Sequence, residues 1–195
     1  MPKKRYYDIS NVLKTKAQYI LLLGQRANGK SYQCKFTVLK NAWKTGKKFI
    51  YLRRYQKDIK QNFVDAYFND IPISELTEGE YTHVIAWQGF LYFGIFDEKT
   101  GKVNREIEIG RYCALNEAIR YKSQVFNNYE YIIYEEFITD ETYLTDEPNT
   151  LQQFVSTVAR HEKITVLLVG NTISRVCPYF SEWCLDGSLD RKSVV

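Results

Sequence analysis

With 27 lysines and arginines against 23 aspartates and glutamates in 195 residues, the chain carries a mild formal charge of +4. Its 45% hydrophobic and 26% charged residues are the balance of one globular domain with a real core, not of a low-complexity chain. A charge this small permits a polyanionic partner without establishing one.

The opening "MPKKRYYDIS" is basic but has no apolar stretch, so it is no secretory signal. Next, "AQYILLL" (17–23) is a continuous apolar run bounded by Gly24, the pattern of a strand buried on both faces of a parallel sheet. Tyr32, Phe36, Leu39 and Trp43 then recur at helical spacing, and Gly46 is placed to end that helix. "KFIYLRR" (48–54) reads as a second strand, and Ile59, Phe63 and Ala66–Tyr67 mark another amphipathic helix. Residues 82–112 change character. Their β-rich runs break at Gln88–Gly89 and Asp97–Gly101, which predicts an antiparallel hairpin or three-stranded meander inserted into the αβ framework. "YEYIIYEEF" (129–137) is a third buried strand ending in two carboxylates, followed by a helix around 149–160 and a fourth strand, "KITVLLVGN" (163–171). The ending "LDGSLDRKSVV" is polar, gives no clear element and reads as a cut end. Every apolar run falls far short of the roughly 20 residues that span a bilayer, so no membrane association is expected. The alternation predicts a three-layer αβα domain with a mostly parallel central sheet.

Cys34, Cys113, Cys177 and Cys184 include no C-x-x-C pair and have no histidine close enough in sequence to suggest zinc. They read as reduced thiols of a cytosolic protein.

The chemistry is concentrated between the first strand and the first long helix. "GQRANGKS" (24–31) matches G-x-x-x-x-G-K-[ST] at every fixed position. In that pattern the backbone N–H groups of Gly24, Gln25, Arg26, Ala27, Asn28 and Gly29, continuing to Tyr32, cradle phosphate oxygens. Lys30 reaches the β- and γ-phosphates and the Ser31 hydroxyl ligates Mg²⁺. A strand ending in an acidic residue places Glu135 beside that Mg²⁺, and Glu136 follows as the candidate base for a lytic water. An acidic turn closing a strand is the plain alternative. Asn171, at the tip of the fourth strand, is either a γ-phosphate sensor or a turn residue. Charge growing on the γ-phosphate calls for a cation, supplied by Arg26 in cis or by Arg160 presented to an adjacent subunit, unless Arg160 is a solvated surface residue. Arg53, Arg54, Lys57 and Lys60 form a basic cluster after the second strand. It is either a solvated face or one turned toward nucleotide or polyanion.

Taken in order, "GQRANGKSY", "FIYLRRYQ", "IIYEEFI", "EPNTLQQFVSTVAR" and "VGNTISRVCPYF" resemble the DNA-packaging ATPases of φ29-type tailed phages, ring-forming P-loop motors of the ASCE type. The resemblance covers residues 17–181. It implies ATP and Mg²⁺ as cofactors and a homo-oligomeric ring, commonly a pentamer, in the cytoplasm of the infected host cell. Docked on the portal vertex of the procapsid, in some members with a packaging RNA, that ring drives double-stranded DNA inward. It also implies Lys30 and Ser31 as the phosphate-loop pair, Glu136 as the catalytic glutamate, and Arg160 or its neighbour as the trans-acting arginine. Two departures stand out. The family usually has Asp where this chain has Glu135, and the helix before Arg160 is shorter than usual. Family members also carry a C-terminal nuclease-like domain missing here, so the chain reads as a single P-loop ATPase domain, 1–195. A GTPase would need an N-K-x-D guanine reader, which "GNTISR" does not supply, and no arginine-bearing kinase lid is evident. The remaining alternative is a nucleotide-gated binding or assembly module with little hydrolysis.

Overall fold

In the computed structural model, which describes residues 8–160, 162–171 and 177–185, the long apolar runs become strands β1 (Tyr19–Gly24), β2 (Lys48–Arg53), β6 (Tyr129–Glu135) and β7 (Thr165–Asn171). They are buried on both faces. Phe49, Tyr51, Ile133, Leu167 and Val169 pack toward one helical layer, while Ile50, Leu52, Ile132, Tyr134, Val166 and Leu168 pack toward the other. Because side chains alternate along a strand, only a near-continuous apolar run can satisfy both layers at once. One layer holds α2 (Lys30–Thr45), α3 (Gln61–Phe68) and α4 (Ile73–Leu76), next to the short α1 (Ser10–Leu13). The other holds α5 (Glu147–Val158) and α6 (Pro178–Glu182). The three-layer α/β expectation holds.

The seven strands run in the order β1-β7-β6-β2-β5-β4-β3. Here β3 is His83–Trp87, β4 is Phe90–Asp97 and β5 is Lys102–Ala114. The turns between them fall at Gln88–Gly89 and at the segment before Lys102, so the three-stranded meander forms. The meander is also continuous with the main sheet. The last residues of β5, Gly110–Ala114, lie parallel to Phe49–Arg53 of β2, so the meander carries the main sheet onward and adds a fifth parallel strand. Gly110 makes this junction possible, since a Cβ there would lie 2.1 Å from the Phe49 carbonyl oxygen. The short elements α1, α4 and α6 and the 3₁₀ turn Leu115–Tyr121 span too few turns to show a period in sequence.

α2 begins at Lys30 and ends at Gly46, whose left-handed φ of 70° and N–H bond to the Ala42 carbonyl close the helix. α5 starts at Glu147 rather than 149 and ends at Val158, which leaves Arg160 in the bend beyond it. Cys34, Cys113, Cys177 and Cys184 are all free thiols. Among the described residues there is no cluster of metal-ligating side chains of the His/Cys/carboxylate kind, and no helix is long and apolar enough to cross a membrane.

Candidate functional site

The strand order decides what meets at the carboxyl edge of the sheet. β7 lies between β1 and β6, with Gly24 opposite Asn171 and Val169 opposite Glu135. The Gly24–Ser31 loop, Asn171 and the two carboxylates therefore emerge from three adjacent strands. Open parallel sheets bind ligands beyond this edge.

The loop is closed by its own lysine. Lys30 Nζ donates to the carbonyl oxygens of Gly24 (3.1 Å) and Gln25 (2.9 Å) and to Asn28 Oδ1 (3.0 Å), and the Lys30 N–H also reaches Asn28 Oδ1. A Cβ at Gly24 would lie 2.7 Å from the Asn28 amide nitrogen, so a side chain there would displace Asn28 from the loop. Ala27 and Gly29 turn the loop through positive φ. The cavity above is lined by Ala27, Asn28, Gly29, Lys30, Ser31, Tyr32, Asp70 and Asn171. A glycine-bounded loop, a buried ammonium and the start of a 16-residue helix form a donor set for anionic oxygen.

Glu135 is buried next to Ser31, which lines this cavity. The Tyr67 hydroxyl donates to its Oε1 at 2.6 Å, and Ser31 hydrogen-bonds the same carboxylate. Burial pushes the Glu135 carboxyl above its ordinary range, against these two hydrogen bonds and the nearby Arg53 charge. Burial likewise lowers the Lys30 ammonium, opposed by the negative charge of Glu135. A hydroxyl and a carboxylate oxygen beside a loop built to receive anionic oxygen are hard ligands of the kind Mg²⁺ takes. Ser31 and Glu135 therefore fit that ion.

Tyr67 was not legible as part of the site. It is a half-buried aromatic on α3, stacked on Tyr51 with ring centroids 4.3 Å apart. Tyr67→Phe should lower folding stability by about 1.5–3 kcal/mol, because a buried carboxylate loses its charge-assisted donor. Without that donor the Glu135 pKa rises further. The folded state then binds more protons than the unfolded state across a wider window above the unfolded carboxylate value. Stability therefore falls as pH rises through that window, and the deficit against the parent should shrink on acidification. Urea unfolding of both proteins at neutral and mildly acidic pH measures this; a deficit that is constant or grows in acid would show that Tyr67 does not serve the ionised carboxylate.

Glu136 is exposed, and its Oε2 accepts from Arg53 Nη2 at 2.5 Å. A second cavity, which shares Asn171, is lined by Arg26, Arg53, Arg54, Glu136 and the segment from Ile138 to Glu141. The basic cluster thus divides. Arg53 faces the site, Arg54 is buried in a pair with Glu147, and Lys57 and Lys60 are surface residues. Arg26 is exposed at the rim of this cavity. Arg160 is exposed at the other end of the sheet, where its Nη2 donates to the Lys122 carbonyl at 3.1 Å. The sheet edge brings together Gly24–Tyr32, Glu135, Glu136 and Asn171; it leaves Arg160 apart.

A family model described as Podovirus DNA encapsidation protein (Gp16) matches residues 1–194. The DNA packaging protein of Bacillus phage phi29 is 28% identical over 184 residues, covering 92% of this chain and 50% of that protein. That of Bacillus phage B103 is 29% identical over 163 residues, covering 82% and 46%. The chain spans about half the length of the curated relatives it matches. Among solved structures it is similar to the N-terminal domain of the DNA packaging ATPase from bacteriophage phi29. The TM-score is 0.74 at 26% identity, over 92% of this chain and 86% of that one. It is also similar to a chain of the bacteriophage Phi-29 viral genome packaging motor assembly, with a TM-score of 0.71 at 26% identity over 92% and 51%. The match of almost every residue to one family model, on a sheet shared with a solved packaging ATPase domain, places this chain in the Podovirus DNA encapsidation protein (Gp16) family.

Proposed function

We propose that this chain is the ATP-hydrolysing part of a phage DNA-packaging motor. The observation that carries the reading is the meeting of the Gly24–Ser31 loop, Glu135, Glu136 and Asn171 at the ends of three neighbouring strands. Loop N–H groups and Lys30 hold the β- and γ-phosphates of ATP. Mg²⁺, ligated by Ser31 and reached by Glu135, would neutralise charge on the phosphate oxygens. Glu136 accepts a proton from the attacking water as its oxygen bonds to γ-phosphorus and the bond to the β-γ bridging oxygen breaks. Asn171 orients that water, and an arginine stabilises the departing charge. Relatives named as DNA packaging proteins and motor assemblies support the wider setting. That setting is a homo-oligomeric ring in the infected host cell, a pentamer on the family pattern. The ring docks on the procapsid portal, with or without a packaging RNA, and moves double-stranded DNA.

The ion pair between Arg53 and Glu136 favours a second reading, a nucleotide-gated assembly module, because it occupies the base. Phosphate release from ATP and Mg²⁺ separates the two: a motor turns over, whereas a gate binds and stops. Lys30→Ala is the matching control. Each hydrogen bond from an ammonium to phosphate contributes about 1.5–3 kcal/mol, so the variant should bind ATP about 100-fold or more weakly. Parent-like ATP affinity in Lys30→Ala, measured by calorimetry, would remove the phosphate-loop assignment and both readings with it.

A further inference from the structure

At the end of β6 the backbone turns through a conformation that a glutamate resists. Glu136 has φ of 56°, in the left-handed region that side chains with a Cβ disfavour. A residue stays there only where its surroundings impose it. Arg54 contacts this turn directly. Its Nη1 donates to the Glu136 carbonyl at 3.1 Å and its Nη2 to the Phe137 carbonyl at 2.9 Å, so one planar fork pins two successive peptide units.

Arg54 is itself fixed. Its Nε and Nη2 donate to the two carboxylate oxygens of Glu147 at 2.7 and 3.0 Å. Glu147, with no exposed surface, also accepts from the Tyr134 hydroxyl (2.6 Å), the Tyr179 hydroxyl (2.9 Å) and the Leu144 N–H (2.9 Å). Every member of this buried network is satisfied. Yet a buried ion pair is a poor route to stability, because well-packed apolar residues of similar volume often serve as well. What an apolar pair cannot do is hold two carbonyl oxygens in register.

We propose that Arg54 is a positioning residue for Glu136. By gripping the Glu136 and Phe137 carbonyls, it holds the left-handed turn that directs the Glu136 carboxylate into the cavity shared with Arg26 and Asn171. Glu147 is the first residue of α5, so the same network joins that turn to the helix preceding Arg160. The inference rests on reading Glu136 as the base of an ATPase.

The test is Arg54→Met combined with Glu147→Gln in the full chain, which removes both charges and keeps an acceptor oxygen for the Tyr134 and Tyr179 hydroxyls. The double variant should unfold cooperatively and bind ATP within about threefold of the parent. Its single-turnover hydrolysis should fall on the order of 100-fold, the scale of an ångström-sized misplacement of a reacting group. Its crystal structure should show Glu136 out of the left-handed region. Parent-like turnover, or a Glu136 φ still positive without Arg54, would overturn the proposal. If the double variant does not fold, Arg54→Lys carries the same readouts, since an ammonium keeps the charge but lacks the planar fork that spans these acceptors. Should the parent itself prove unable to hydrolyse ATP, the ATPase reading fails, and the φ of Glu136 in the variant still decides the role of Arg54.

Discussion

Glu136→Gln is expected to bind ATP and Mg²⁺ as the parent does and to hydrolyse the nucleotide about 10²–10⁴-fold more slowly. The substitution keeps the volume and one acceptor oxygen but removes the carboxylate proposed as the base. Glu136 is exposed and its side chain packs into no core, so folding should be unaffected. The charge change also dissolves the ion pair with Arg53. Arg53→Ala is therefore the informative companion: it frees the Glu136 carboxylate without altering it. If the pair holds the base in reserve, hydrolysis by Arg53→Ala should be at least as fast as by the parent. If Arg53 instead helps bind the γ-phosphate, hydrolysis falls and ATP affinity falls with it. A Glu136→Gln protein that turns over at the parental single-turnover rate would move the base elsewhere, and Glu135 and the carboxylates of the 140–141 turn would be the next to test.

Arg160→Ala should leave ATP binding nearly unchanged and, in a fully assembled ring of the full-length protein, reduce turnover by about 10³–10⁵-fold. The geometry argues against action on its own nucleotide. Arg160 precedes β7, whereas the phosphate loop lies beyond the opposite end of the parallel strands. Seven strand residues separate the two by roughly 20 Å, far more than an arginine side chain reaches. Its guanidinium rests on the Lys122 carbonyl at an exposed position, so its charge is open to a neighbouring molecule. A monomeric chain should accordingly hydrolyse ATP slowly even with Lys30 and Glu136 intact. Mixing experiments test the direction of action. Subunits lacking Arg160 and subunits lacking Glu136 should partly rescue each other, because an intact Glu136 on one can meet an intact Arg160 on its neighbour. Mixtures that co-assemble yet stay inactive at every ratio would assign the cation to Arg26, exposed at the rim of the Glu136 cavity.

What the sequence determined by itself was everything encoded by local spacing. The loop between β1 and α2 is contiguous, so its fixed residues Gly24, Gly29, Lys30 and Ser31 are legible as one motif without reference to the rest of the chain. The doubly buried strands declare themselves as unbroken apolar runs, and α2 by its helical stripe and terminal glycine, because burial on a given face imposes a period on the residues that make it. The tertiary structure alone decided the partnerships. Arg54 and Glu147 stand 93 positions apart, Tyr67 and Glu135 stand 68 apart, and Arg53 and Glu136 stand 83 apart. In sequence Arg53 and Arg54 are one basic cluster; in the fold successive side chains at a strand end face opposite ways, and one is at the site while the other is buried behind it. The junction of β5 with β2 was hidden for the same reason. A parallel pairing has no turn to announce it, and its only local trace is Gly110, where the neighbouring backbone leaves no room for a side chain. Periodicity records which way a residue faces. Which residue it meets depends on loop closures and strand order, which no local window contains.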